Sequence, residues 1–157
     1  GFSALKKWCL KEFNATVAQD MEADDLIGIL CTRDPANTVA VSGDKDFGTL
    51  PIKWYNHLKK SYRQTSEEDA TKFHLVQTMA GDSTDGYSGI KGVGVKTAER
   101  ILEKEGYNWN TVVDAYTKAG QTEEEALLNA RLAYILQNKD YDITKKEIKL
   151  WLPQTKD

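Results

Sequence analysis

At 157 residues the chain is long enough to bury a core and short for two independent domains. With 29% charged and 40% hydrophobic residues and no apolar run of membrane-spanning length, it excludes a membrane-embedded or disordered chain; without a secretory leader, the expected location is the cytoplasm. The net charge of −3 would argue against a nucleic-acid partner, but it is concentrated in acidic clusters that bound cations would neutralise, so a phosphate-handling enzyme is allowed.

Residues 3–13 place Leu5, Trp8, Cys9 and Phe13 at a helical period with Ser3 as cap, and Ala15 to Ala18 follow as a short extended piece. Met21-Glu22-Ala23-Asp24-Asp25 opens a second helix whose apolar side is Leu26, Ile27, Ile29 and Leu30, ending before Pro35. Three carboxylates there suit the positive end of the helix dipole, yet exceed what a cap needs. Cys9 and Cys31 lack metal-type spacing and are read as reduced core thiols.

Thr38-Val39-Ala40-Val41-Ser42 reads as a strand buried on both faces of a parallel sheet. Gly43-Asp44-Lys45-Asp46 lies at its C-terminal end, where open α/β sheets place ligands, and a period of two would put both aspartates on one side. Pro51 to Asn56 forms a second extended segment, followed by Lys59, Lys60 and Arg63 around Tyr62. Thr65-Ser66-Glu67-Glu68 has capping-box spacing and starts a helix with Phe73, Val76 and Ala80 on one stripe, ended by Gly81.

Gly81 to Arg100 is the stretch that joins two chemistries. Asp82 and Asp85 suit hard cations, while Gly92 and Gly94 let backbone N–H groups approach a phosphate at the start of a helix running from Thr97 to about Glu105. Lys96, Arg100 and Lys104 line one face of that helix at fourfold spacing. Helices over 110–118 and 123–137 follow, the second with Ala126, Leu127, Ala130, Leu132, Ala133 and Leu136 inward. Ile148 to Leu152 alternates and either closes the sheet or lies across it, and the tail after Pro153 is expected to be loose.

Glu22/Asp24/Asp25, Asp44/Asp46 and Asp82/Asp85 are thus three acidic groups at loop or helix-start positions. Each alone serves as a cap or turn; together, in an all-oxygen set without Cys or His, they suit Mg²⁺ or Mn²⁺, two ions about 4 Å apart. His57 and His74 are read as surface or packing residues. Trp54, Tyr55 and Tyr62 are read equally as base-stacking or core residues, and Tyr87 as the better stacking candidate. Val95 at a glycine position rules out a P-loop, and Thr97 in place of a third glycine rules out a dinucleotide fingerprint.

The ordered set Glu22-Ala23-Asp24-Asp25, Gly43-Asp44-Lys45-Asp46-Phe47 and Gly81-Asp82-Ser83-Thr84-Asp85-Gly86-Tyr87-Ser88-Gly89-Ile90-Lys91-Gly92-Val93-Gly94-Val95-Lys96-Thr97-Ala98 resembles the 5′-nuclease or flap-endonuclease superfamily, nearest to phage 5′→3′ exonucleases and the nuclease domain of bacterial DNA polymerase I. The resemblance implies an α/β fold: a partial parallel sheet of the PIN-like nuclease core over residues 1–64, and a helix–hairpin–helix DNA-binding region returning to the core over 65–157. It implies that Glu22 and Asp24 ligate one metal, that Asp44 and Asp46 lie between two sites, that Asp82 and Asp85 serve the second, and that Asp25 helps. It also implies duplex phosphates held at Lys91, Gly92, Val93, Gly94, Val95, Lys96, Thr97 and Arg100, with K⁺ at the hairpin. Family members begin with acidic strands and a helical arch that this sequence does not contain. The expectation is therefore a C-terminal portion, or a partner supplying that half, with an incomplete first metal site and impaired catalysis. Rival readings are a non-catalytic DNA-binding helix–hairpin–helix module, and a haloacid-dehalogenase-type phosphatase, against which Gly48 and a second acidic motif following a helix both count.

Overall fold

A computed structural model describes residues 1–154. Among the described residues there are six helices, α1 (Phe2–Glu12), α2 (Ala23–Arg33), α3 (Glu67–Ala80), α4 (Val95–Glu105), α5 (Trp109–Lys118) and α6 (Glu123–Leu132), and a three-stranded sheet of β1 (Ala40–Val41), β2 (Lys53–Asn56) and β3 (Ser61–Gln64). A 3₁₀ helix over Lys45–Thr49 links β1 to β2.

The sheet is mixed, which corrects the parallel sheet expected. Ala40 and Val41 pair in parallel with Trp54 and Tyr55, but β2 and β3 form an antiparallel hairpin with Tyr55 opposite Tyr62. The hairpin escapes the sequence reading because no residue of β3 is buried, so its basic residues carry no apolar alternation. Nor is β1 buried on both faces: Ala40 is inside while Val39 and Val41 are exposed, the pattern of a strand with one packed face.

Helix α3 is the central element, buried continuously from His74 to Met79. Its cap is Ser66, whose Oγ accepts the Asp69 N–H at 3.0 Å and donates to Asp69 Oδ2, one residue later than the Thr65/Glu68 frame. On one side it packs with Ile90, Ala98, Leu102, Val112, Tyr116 and Ala126; a second cluster gathers Phe47, Leu50, Ile52 and Trp54 with Cys31 and Ile135. Cys31 is buried as expected, whereas Cys9 is only half-buried on α1, a helix with no buried residue. The apolar stripe of Leu5, Trp8 and Phe13 is exposed, Ser3 does not cap α1, and residues 15–18 form no strand.

Helix α6 stops at Leu132 rather than 137. Past the C-cap Ala133 the chain has left the helix, and the Leu136 N–H donates to Asp25 Oδ1 at 3.0 Å, which holds this segment against α2 and leaves Leu132 exposed. Ile148 pairs with Tyr141 in a separate β4 (Tyr141–Asp142) and β5 (Glu147–Ile148) hairpin, so this segment does not close the main sheet. Trp151 lies across the helices, with its ring centroid 4.9 Å from His74 and 5.5 Å from Trp109. Beyond Gln154 the tail falls outside the described residues.

His57 is exposed and His74 packs in the interior, as read. The His74 Nε2 lies 2.8 Å from the Ala130 carbonyl, so the neutral ring donates there. Burial lowers the His74 pKa to about 4, the hydrogen bond opposing only in part. The unfolded histidine takes its proton near pH 6.5, so between those values the unfolded state binds more protons. Stability should therefore be flat in this term above about pH 6.5 and fall by about 2 kcal/mol on going from pH 7 to pH 5. Urea denaturation at both pH values checks this: His74→Gln, which keeps a donor for Ala130, should lose that part of the slope, and equal slopes would refute it.

Candidate metal centre and nucleic-acid interface

The chain leaves β1 through Ser42 and Gly43, and two buried side chains fix this exit. Trp54 Nε1 donates to the Ser42 carbonyl at 3.0 Å and Asn56 Nδ2 to the Gly43 carbonyl at 3.2 Å. Trp54 is thus core, not a free stacking surface. Strand geometry ends at Val41, so Asp44 and Asp46 do not share a side through a period of two; Asp44 instead caps the 3₁₀ helix, its Oδ1 accepting the Asp46 N–H at 2.9 Å. Asp46 then reaches α3, where Gln77 Nε2 donates to its Oδ1 at 2.8 Å.

Gly81 ends α3 with φ +70°, and the loop doubles back through paired backbone hydrogen bonds between Asp82 and Tyr87, 2.8 and 3.0 Å. Asp82 Oδ1 accepts the Thr84 N–H at 2.8 Å, which leaves its second oxygen directed at the 3₁₀ helix. Asp46, Asp82 and Asp85 consequently present one oxygen each within 4.8 Å of one another. Lys45 Nζ bridges two of them, 2.9 Å from Asp46 Oδ1 and 2.5 Å from Asp82 Oδ2.

The electrostatics of this cluster favour a cation. Burial and then the neighbouring Asp46 and Asp82 raise the Asp85 pKa, while the hydrogen bond from Lys45 holds Asp82 down. Burial works against the Lys45 charge, but its hydrogen bonds to Asp82 and Asp46 prevail and raise its pKa. Asp24 is raised by burial and by the charges of Asp44, Glu22, Asp25 and Asp46, so the α2 acids share the field of the cluster. Asp25 has a different employment: Oδ2 accepts the Glu22 N–H at 3.2 Å and Oδ1 accepts Leu136 N–H, tying the start of α2 to the segment after α6. Of the seven acids singled out, Asp46, Asp82 and Asp85 converge, Asp24 feels the charges of Asp44 and Asp46, Asp44 caps the 3₁₀ helix, and Glu22 and Asp25 sit at the start of α2.

Tyr87 is buried, which corrects its reading as a stacking residue; its hydroxyl has no hydrogen-bond partner among the described residues. Burial and then the Asp46 charge raise its pKa, so it remains a donor. An orphan donor beside three hard oxygens, with an ammonium already bridging two of them, fits a hydrated divalent cation.

Beyond the acids, Val93 N–H donates to the Ile90 carbonyl at 3.0 Å in a turn that puts Gly92 at φ +77°, and Gly94 caps α4. Lys91, Lys96, Arg100 and Lys104 are exposed, while Ala98 and Leu102 anchor the helix beneath. Val95 is exposed, and Val93 and Thr97 are half-buried. Gln121 accepts the Lys91 N–H and donates to the Gly89 carbonyl, both at 3.2 Å, and Asn129 Oδ1 accepts the Gly89 N–H at 2.9 Å. These two positioning residues, with Gln77, were missed; for Gln77 in α3 and Asn129 in α6 a polar residue inside an apolar helical stripe was the available signal, whereas Gln121 lies in the α5–α6 loop and carries none.

No family model matches the chain. The exonuclease of Escherichia phage T7 is 32% identical over 91% of this chain and 59% of its own length, and the exodeoxyribonuclease of Enterobacteria phage T3 is 31% identical over 92% and 60%. Flap endonuclease Xni of Shewanella halifaxensis (strain HAW-EB4) is 28% identical over 91% and 63%. The chain thus spans about 60% of the curated relatives it matches. A mutant T5 5′-exonuclease structure superposes with a TM-score of 0.68 at 20% identity, covering 84% of this chain and 64% of that one. That likeness is one of fold.

Proposed function

From membership of the 5′-nuclease and flap-endonuclease superfamily, to which this chain belongs, we propose that it hydrolyses DNA phosphodiesters near 5′ ends, nicks or flaps as a divalent-metal-dependent 5′→3′ nuclease. The observation that carries the reading is the convergence of Asp46, Asp82 and Asp85 from loops on either side of α3. Asp46, Asp82 and Asp85 would hold one ion, with Asp24, Asp44 and Glu22 turned to a second, and Asp25 fixing the α2 start. When bound, Mg²⁺ or Mn²⁺ supplies Lewis-acid stabilisation and water activation for phosphodiester hydrolysis.

The chain's own residues do the positioning. The first N–H groups of a helix have no intrahelical acceptors, so the start of α4 suits a phosphate oxygen. Glycines at 92 and 94, where an added Cβ would meet nothing within 4 Å, keep that surface open for a duplex backbone. We read Ile90 to Lys104 with α3 as the helix–hairpin–helix unit, with K⁺ accepted at the hairpin carbonyls, and residues 1–64 as the nuclease core portion. Lys91, Lys96 and Arg100 are contacts to phosphate that set register rather than read sequence. No described helix is long and apolar enough to cross a membrane, and the place of action proposed for this nuclease is the cytoplasm.

The test is cleavage of a 5′-labelled flap or nicked duplex with Mn²⁺, Mg²⁺ or EDTA. Short 5′ products that appear only with metal are expected, formed slowly because the first metal site is incomplete; no product, together with duplex binding that weakens in salt and survives EDTA, would favour the non-catalytic DNA-binding module instead. For the interface, Lys96→Gln and Arg100→Gln should each weaken duplex binding and lower the log–log salt slope by about 1. A salt titration by fluorescence anisotropy checks this, and unchanged slopes would move the duplex elsewhere.

A further inference from the structure

We infer that Lys45 is a resident counter-ion of the carboxylate cluster that a divalent cation displaces, and that the freed ammonium then holds a phosphate of the substrate strand in the adjoining groove. This rests on the metal-nuclease reading above.

Three observations carry it. The ammonium sits on the oxygens a metal would use, bridging Asp46 Oδ1 and Asp82 Oδ2. A monocation and a divalent cation cannot share those oxygens at contact distance without strong like-charge repulsion, so one must leave. The two sides differ in freedom: the Lys45 side chain is 54% exposed, whereas those of Asp46 and Asp82 are 19% and 12% exposed and held by Gln77 and the Thr84 N–H. The lysine, on its flexible stem, is therefore the partner that moves.

Where it can go is set by a groove of about 490 Å³ between the β2–β3 hairpin and α3, which Lys45 already lines together with Lys59, Arg63, Trp54, Asp69 and Phe73. Arg63 lies 6.0 Å from the Trp54 ring centroid, which places its guanidinium along the groove wall. Lys45, Lys59 and Arg63 then offer three cations against the one carboxylate of Asp69, a balance suited to a phosphodiester leading into the cluster. Lys45 would thus couple the two events, with metal entry releasing the charge that receives the strand.

Calorimetric titration of Ca²⁺, a hard cation probe, into the wild type, Lys45→Gln, Lys45→Arg and Asp46→Asn tests the first half. Lys45→Gln should bind Ca²⁺ about tenfold more tightly and gain more in melting temperature on Ca²⁺ addition than the wild type, while Lys45→Arg stays near wild type. Anisotropy of a labelled single-stranded oligonucleotide tests the second: Lys45→Gln should lower the salt slope by about 1 in Ca²⁺ and leave it unchanged in EDTA. Equal or weaker Ca²⁺ affinity in Lys45→Gln, or a slope lowered equally in EDTA, overturns the inference. Loss of Ca²⁺ in Asp46→Asn alongside an unchanged Lys45→Gln sinks the inference alone. Identical titrations of wild type and Asp46→Asn would sink the metal reading and the inference with it.

Discussion

Asp46→Asn should lower metal-dependent cleavage by about 10³-fold or more while the protein remains folded. The size follows from the several kcal/mol of charge stabilisation that a correctly held ion supplies to phosphodiester hydrolysis, each 1.36 kcal/mol being tenfold in rate. The fold should survive because the amide oxygen of asparagine can still accept from Gln77 Nε2, the contact that ties the 3₁₀ helix to α3. Asp25 provides the contrast. Its two oxygens already accept backbone N–H groups of Glu22 and Leu136, so Asp25→Ala should act chiefly on stability, costing about 2 kcal/mol for a lost cap and an orphaned donor. Single-turnover cleavage beside urea denaturation of both variants separates the roles. If Asp25→Ala lost activity as completely as Asp46→Asn with unchanged stability, the division between ligand and cap would be wrong.

That division shows how far the sequence could be read. Acid spacing in Asp44-Lys45-Asp46 and Asp82 to Asp85 pointed to a cation because such residues crowd together only at cost, and their loops do meet. What spacing could not show is which oxygens local backbone groups would consume. Asp44 becomes a 3₁₀ cap and Asp25 a tether to a segment 111 positions away, and both depend on geometry that only packing creates. The same limit governs the fold. Helices α2 and α3 were legible from their acidic or capping starts and apolar periods, and α4 from the glycine turn before it and its basic spacing, since those signals are local. Strand β3 was not, because its partners supply the hydrogen bonds while its own side chains face outward. The end of α6 was hidden for the same reason: its sequence continues to read as helix, while the segment beyond it is held by a carboxylate of α2 that only packing brings near.

Gly89→Ala should be among the most destabilising single-methyl additions in the chain, and it should loosen the metal centre at the same time. The loop that carries Asp82 and Asp85 leaves α3 at Gly81 and crosses its own start at Gly89, and both glycines have positive φ, +70° and +61°. A Cβ at Gly89 would run into the backbone of Gly81, Ala80 and Met79, and one at Gly81 into Ser88. Backbone cannot swing aside as a side chain can, so the crossing must open. Opening it strains the Ile90 N–H bond to the Met79 carbonyl and the buried Gly89 N–H bond to Asn129 Oδ1. Left-handed strain of about 1–2 kcal/mol plus the forced separation should total about 3–5 kcal/mol. Gly92→Ala is the internal control: its φ is +77° but the space around it is open, so only the conformational cost of about 1 kcal/mol applies. Urea denaturation of the two variants, each with and without Mn²⁺, reads both effects. Gly89→Ala should lose stability severalfold more than Gly92→Ala and recover less on metal addition, because Asp82 and Asp85 no longer face Asp46. Equal losses would mean that the crossing is not what holds these carboxylates together.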